Sequence, residues 1–306
     1  MNDIFTAPRG FLSAPRSAEI GGARAVILGI PFDCGTHPRR IGARQGPAAI
    51  RDESQLISPF HCETGIDPAA ALGLVDLGDL ALTSSDIAGS FAAIEAAITA
   101  ITQAHAVPVT LGGDGAVALP EMRALSRAHP GLVAVHIDAH TDAYPIPGIN
   151  TATPFAIAAQ EGVIDTAHSF QIGMRGSNLV PGVIAHGRAL GFNVITQREL
   201  LARGIEAVFA DIRARIGDRP VYLSFDMDVF DPAVAPGVCS PTWGGLSARE
   251  GLAALECCFG LNLVGININT VSPPHDVGGM TALLAATVAY DALHMLARMQ
   301  QTRPDR

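Results

Sequence analysis

Eight short apolar runs, each separated from the next by helical or loop-like sequence, constrain this chain more than any other feature. "ARAVILGI" is apolar after its arginine and rich in β-branched residues, as a strand covered on both faces should be, since it shows no polar alternation. "ALGLVDLGD", "VPVTLGG", "GLVAVHIDAH", "SFQIGM", "FNVIT", "PVYLSFDMD" and "LNLVGININTV" continue the series. Between them, "GPAAIRDESQLIS" places Pro47 where a first helical turn tolerates it, and "SSDIAGSFAAIEAAITAITQA" opens on Ser and Asp before apolar residues at three- and four-residue spacing. "MTALLAATVAYDALHMLARM" reads as a closing helix. Repeated strand–helix–strand order implies a parallel sheet with helices on both faces. No internal repeat, low-complexity tract or linker interrupts it. We therefore expect one domain over residues 1–306, with residues 1–23 as an N-terminal arm.

Composition excludes several chemistries. The net charge of -9 argues against a nucleic-acid binder, which usually presents a basic face. Every basic residue is Arg, so a lysine Schiff base, a Walker lysine and a lysine general base are all ruled out. The charged share of 16% is low, which fits a surface partly covered by other subunits. The 5 cysteines (Cys34, Cys62, Cys239, Cys257, Cys258) lack disulfide-framework or metal-type spacing and read as reduced thiols. No leader-like pattern opens the chain, and no run reaches the roughly 18 uninterrupted apolar residues of a membrane span. A cytoplasmic protein without membrane or nucleic-acid partners is expected.

The chemistry concentrates at strand ends, where open parallel sheets bind ligands. "VAVHIDAHTD" carries Asp138, His140 and Asp142 at alternate positions, about 7 Å apart along an extended chain and on one side of it. "YLSFDMDVFDP" repeats the spacing with Asp226 and Asp228. A lone acid at a strand end usually caps a helix. Four carboxylates and an imidazole on two strand ends instead suggest a mixed oxygen and nitrogen site for a divalent cation.

With these motifs in view, the chain resembles the ureohydrolase family of arginases, agmatinases, guanidinobutyrases and formiminoglutamases. "GIPFD", "RIGARQGPAAIRDES", "LGGDG", "DAHTD", "SFDMDVFDPAVAPG", "GGLSARE" and "VSPPHD" carry the resemblance in order, from about Ala25 to Leu296, and its flavour is agmatinase-like. The resemblance implies a three-layer α/β/α fold with a mainly parallel central sheet, and a trimer or hexamer. It also implies two metal ions, manganese or sometimes nickel, bridged by a hydroxide that attacks a guanidinium carbon. Carried over, Asp138 and Asp226 bridge the ions, His140 and Asp228 complete one site, and Asp142 serves the other.

Three segments depart from that pattern. The family's turn reads Gly-Gly-Asp-His, and its histidine binds the first metal; here the residue is Gly115. That leaves Asp138, Asp142 and Asp226, an oxygen-only set better suited to magnesium or calcium than to a tightly held transition ion. In "NTATPF", Thr151 stands where a family histidine assists proton transfer or substrate binding. In "GININTVSPPHD", Asn267 and Thr270 replace an Asp and the Glu that holds the guanidinium. Thr151 and Thr270 would then line the substrate pocket, with His275 a candidate replacement ligand or base.

Two functions follow. The first is a non-catalytic subunit that completes a heteromeric assembly around a homologous catalytic subunit with an intact site, carrying at most one firmly bound ion or none. The family includes nickel-dependent heteromers that cleave biguanides such as metformin, and this chain looks similar to what their second subunit type should be. The alternative is a working amidinohydrolase, agmatinase- or guanidinobutyrase-like, that uses one firmly bound manganese or nickel ion on an altered small guanidine-type substrate.

Overall fold

A computed structural model describes residues 9–34 and 39–302. Its strands are β1 (Ala25–Gly29), β2 (Val75–Asp79), β3 (Val107–Leu111), β4 (Val133–Ile137), β5 (Phe170–Met174), β6 (Asn193–Thr196), β7 (Pro220–Asp226) and β8 (Asn262–Asn269). Each falls within one of the eight apolar runs. They form one sheet in the order β2-β1-β3-β8-β7-β4-β5-β6, and every pairing in it is parallel.

Side-chain alternation splits the core into two. On β1, Ala25 and Ile27 face one cluster while Val26 and Leu28 face the other. The first face is covered by α1 (Gly46–Glu53), α2 (Pro68–Leu72), α7 (Gln197–Arg203), α8 (Ile205–Ile216), α9 (Ala248–Glu256) and α10 (Met280–Thr302). The second is covered by α3 (Ile87–Gln103), α4 (Ala118–Ala128), α5 (Pro154–Glu161) and α6 (Val183–Ala189). The three-layer α/β/α arrangement is thus present. The long stretch Met280–Gln301 is apolar enough to cross a membrane, yet 72% of its most apolar window is buried inside the fold.

The expected arm is tied down where it is described. Phe11 N–H donates to Asp76 Oδ2 at 2.7 Å, and Arg51 Nε reaches the same oxygen at 2.7 Å. Asp76 is thereby satisfied at the sheet edge although it is fully buried. Residues 1–8 of the arm lie outside the described residues.

The second face carries a polar row that apolar runs alone would not announce. Thr110, Asn267, Ser224, His136 and Gln171 stand side by side in register across five neighbouring strands. At one end of this row Glu121 of α4 is buried, accepting from Tyr222 Oη at 2.5 Å and Asn267 Nδ2 at 3.0 Å. Burial pushes its carboxyl up to about 7, with the hydrogen bonds from Tyr222, Thr110 and Asn267 opposing. A carboxyl raised in the fold takes up a proton on folding, so its stability contribution falls as pH rises from the ordinary value of 4.5 to about 7. Glu121→Gln should flatten that slope and raise stability at pH 8 by about 3 kcal/mol relative to the parent. Urea unfolding of both proteins from pH 5 to 8 checks this; parallel curves would refute it.

Candidate metal centre

The four central strands, β3, β8, β7 and β4, deliver the site from their C-terminal ends. On β4, Asp138 follows His136 by two residues and faces the same way. Past the strand the chain turns through Asp142, whose φ of 46° is left-handed, a conformation that costs about 1–3 kcal/mol outside glycine. Held this way, Asp142 turns back towards β4 and β7 instead of continuing the extended path. β7 ends on Asp226, whose Oδ1 accepts from Ser224 Oγ at 3.2 Å, and Asp228 lies in the following turn.

Two groups result. His136, Asp138, Asp142 and Asp226 present ligand atoms all within 4.8 Å of one another, and so do Asp138, His140 and Asp228. Asp138 belongs to both, as a bridging carboxylate must. In the second group His140 Nδ1 lies 3.4 Å from Asp138 Oδ1 and 3.3 Å from Asp228 Oδ2. A divalent ion with bonds of about 2.0–2.2 Å brings its ligand atoms to about 4 Å of one another, so both groups fit one with small adjustments. All five acids and imidazoles expected from the sequence therefore meet.

Beside the three carboxylates of the first group stands His136, a residue that the strand-end reading did not single out. The signal was present in "VHIDAH", where His136 extends the alternation of Asp138 and His140 back by one step.

Burial sets the electrostatics. Asp142 and Asp226 are pushed well above the carboxylate range, first by burial and then by the charge of Asp138. Asp228 is pushed up to about 7 by burial and then Asp138, with His140 opposing. For Asp138, burial alone would raise the carboxyl, but His136 and His140 outweigh it and hold it low. So many like charges cannot all ionise in a buried site without a counter-cation.

Polar atoms beside the cluster point the same way. Buried atoms of His136, Gln171, Asn267 and Asn269 have no hydrogen-bond partner. Such orphans are rare in folded proteins and call for an ion or a water.

Two of the departing positions, Gly115 and Thr151, are packed against each other. Gly115 N–H donates to Thr151 Oγ1 at 3.0 Å. A Cβ at Gly115 would lie 2.5 Å from Asp142 Oδ2 and 3.1 Å from both Thr151 O and Oγ1. A side chain at this position would require the Asp142 carboxylate to shift. Asp114 caps the same turn, accepting from Ala116 N at 3.0 Å and Cys34 N at 2.7 Å. Thr270, at a φ of 73° that a β-branched residue rarely adopts, turns its hydroxyl to backbone. It donates to Asn269 O at 2.7 Å and accepts from Met227 N at 3.1 Å. His275 Nδ1 pairs with Ser272 Oγ at 2.8 Å, and neither ligand group includes this histidine. A cavity of about 60 Å³ adjoins His140, lined by Thr141, Met174, Arg175, Gly176 and Asn178 among others.

Comparison with known proteins agrees with this architecture. The profile of the arginase family matches residues 23–295. Guanidinopropionase of Pseudomonas aeruginosa is 38% identical over 94% of this chain and 91% of its own length. Guanidinobutyrase of the same organism is 36% identical over 91% of this chain and 88% of its own. The structure of proclavaminate amidino hydrolase from Streptomyces clavuligerus superposes with a TM-score of 0.91 at 36% identity, covering 96% of this chain and 98% of that one. With the profile spanning residues 23–295 and these relatives matching most of the chain, this protein belongs to the arginase family.

Proposed function

We propose that the chain is a metal-binding but non-catalytic subunit of a heteromeric guanidine or biguanide hydrolase. The observation that carries this reading is the fate of two hydroxyls. Where the family resemblance places a proton-transferring histidine and a guanidinium-holding glutamate, Thr151 Oγ1 accepts from Gly115 N–H and the Thr270 hydroxyl bonds backbone. Threonine does not serve as a general base near neutral pH. A cationic guanidinium also loses the charge-assisted partner that would orient it.

A bound divalent ion supplies activated water at near-neutral pH and a counter-charge for buried acids. In this reading the second role is the one retained. Asp138, Asp142, Asp226 and Asp228 would hold the ion, with His140 on the second group. His140 Nε2 is itself steadied by Thr242 Oγ1 at 3.3 Å. The assembly's catalysis would come from a homologous subunit with the full histidine set, in a trimer or hexamer that this chain completes.

One observation favours a second reading, an active amidinohydrolase with an altered guanidine substrate: the carboxylate cluster is intact and buried. A single experiment separates the two. The purified chain, loaded with manganese or nickel, should release no urea from 3-guanidinopropionate, 4-guanidinobutyrate or agmatine, and no amine from a biguanide. Co-expressed with an intact homologue, it should co-purify and raise that subunit's turnover. Hydrolysis by the chain alone would replace the first reading with the second.

A further inference from the structure

We propose that His136 takes over the nitrogen-ligand role that Gly115 cannot fill, so that the first ion is held by His136, Asp138, Asp142 and Asp226. This rests on the metal-binding part of the reading above, not on the absence of catalysis.

The argument begins with position. His136 is fully buried on β4, two residues before Asp138 and on the same face of the sheet. Its ring stacks on Phe155 at 4.1 Å with 22° between planes, which fixes the imidazole's plane and leaves its edge to face the acids. Nε2 lies 2.9 Å from Asp138 Oδ2 and 3.8 Å from Asp226 Oδ1. Neither ring nitrogen has a partner in hydrogen-bond geometry, so the 2.9 Å approach to Asp138 lies off the line of a ring N–H. An unpaired imidazole in a fully buried site is costly, and few arrangements explain it. Coordination does: one lone pair goes to the ion, in the same volume where three carboxylate oxygens already converge within 4.8 Å.

The lost position and the retained one are linked by geometry. A side chain entering from Gly115 would displace Asp142 and meet Thr151, whereas His136 enters from beneath, along the strand. The nitrogen donor has therefore moved from the loop after β3 to the body of β4. With three carboxylates and one imidazole, the site should favour manganese, nickel or zinc over magnesium and calcium, reversing the preference of an oxygen-only set.

The test uses the full-length protein and manganese itself. In a His140→Ala background, which removes the other imidazole, pulsed electron paramagnetic resonance of the Mn2+-loaded protein should show nitrogen coupling. Adding His136→Phe, which keeps a ring to stack on Phe155, should abolish that coupling. It should also weaken Mn2+ binding by more than the roughly 100-fold that loss of an outer hydrogen-bond partner costs. Absence of nitrogen coupling before His136 is changed would overturn the proposal, as would a smaller loss with coupling retained. Should His136→Phe fail to fold, anomalous scattering from Mn2+-soaked crystals of the unmodified protein decides. An ion within bonding distance of Nε2 supports the assignment, and one bound only by carboxylates refutes it. A protein that binds Mn2+ through His136 and also releases urea would sink the non-catalytic reading and leave this one standing.

Discussion

Saturating Mn2+ is expected to stabilise the chelator-treated protein by about 4 kcal/mol at a thousandfold excess over Kd, a rise on the order of 10 °C in the thermal midpoint. The reason is the buried acid cluster. Asp142, Asp226 and Asp228 are all raised, by burial and by Asp138, which means the cation-free fold disfavours their ionised forms. For carboxyls raised in the folded state, stability is lost as pH climbs above their ordinary value, and a bound cation removes that loss. Asp226→Asn gives the effect opposite signs in the two states. Without metal it removes a carboxyl that must take up a proton to stay buried, and should raise the midpoint. With metal it removes a ligand of the first group and should erase most of the stabilisation. Scanning calorimetry of both proteins, with chelator and with Mn2+, checks the four midpoints. A midpoint indifferent to Mn2+ would mean that the cluster holds no ion.

The fold was legible because a parallel sheet is written locally. Each strand is a run covered on both faces, and each of "ARAVILGI", "SFQIGM" and "PVYLSFDMD" announces this without reference to the others. The acids were legible for a related reason: alternation within one strand end keeps Asp138, His140 and Asp142 together, and Asp226 with Asp228. What the local pattern could not report is contact across sequence. Gly115 and Thr151 are 36 residues apart, and only the folded chain shows that the hydroxyl of one caps the N–H of the other. Thr270 read as a pocket residue, and only the folded chain shows its left-handed backbone and the hydrogen bond its hydroxyl accepts from Met227 N. His136 was missed because a histidine inside an apolar strand looks like core. Its register with Ser224 and Gln171, a property of three strands at once, places it in the polar row beneath the acids. Glu121 was missed for the same reason, sitting on a helix whose buried side is otherwise apolar.

That contact across sequence makes restoration of activity cooperative. Gly115→His alone is expected to give no hydrolysis and to destabilise the fold by about 1–3 kcal/mol, the usual cost of overpacking. Its Cβ would sit 2.5 Å from Asp142 Oδ2, so the new side chain displaces one ligand while trying to supply another. Thr151→His alone frees the Gly115 N–H and leaves no metal-side gain. Thr270→Glu alone places a carboxylate where the backbone is strained and where Met227 N loses its acceptor. Combined, the three changes replace the lost ligand, proton carrier and guanidinium partner together, and groups that act as a unit do not add. The triple variant should release urea from 3-guanidinopropionate or 4-guanidinobutyrate at least about 100-fold faster than any single variant, the lower end of what one general base contributes. The assay is urea release by Mn2+-loaded protein, with circular dichroism confirming the fold. Activity in Gly115→His alone would break the argument that Thr151 and Asp142 block this position. A triple variant that is folded, metal-loaded and silent would place the loss of catalysis beyond these three side chains, in the narrow cavity around His140 and Arg175.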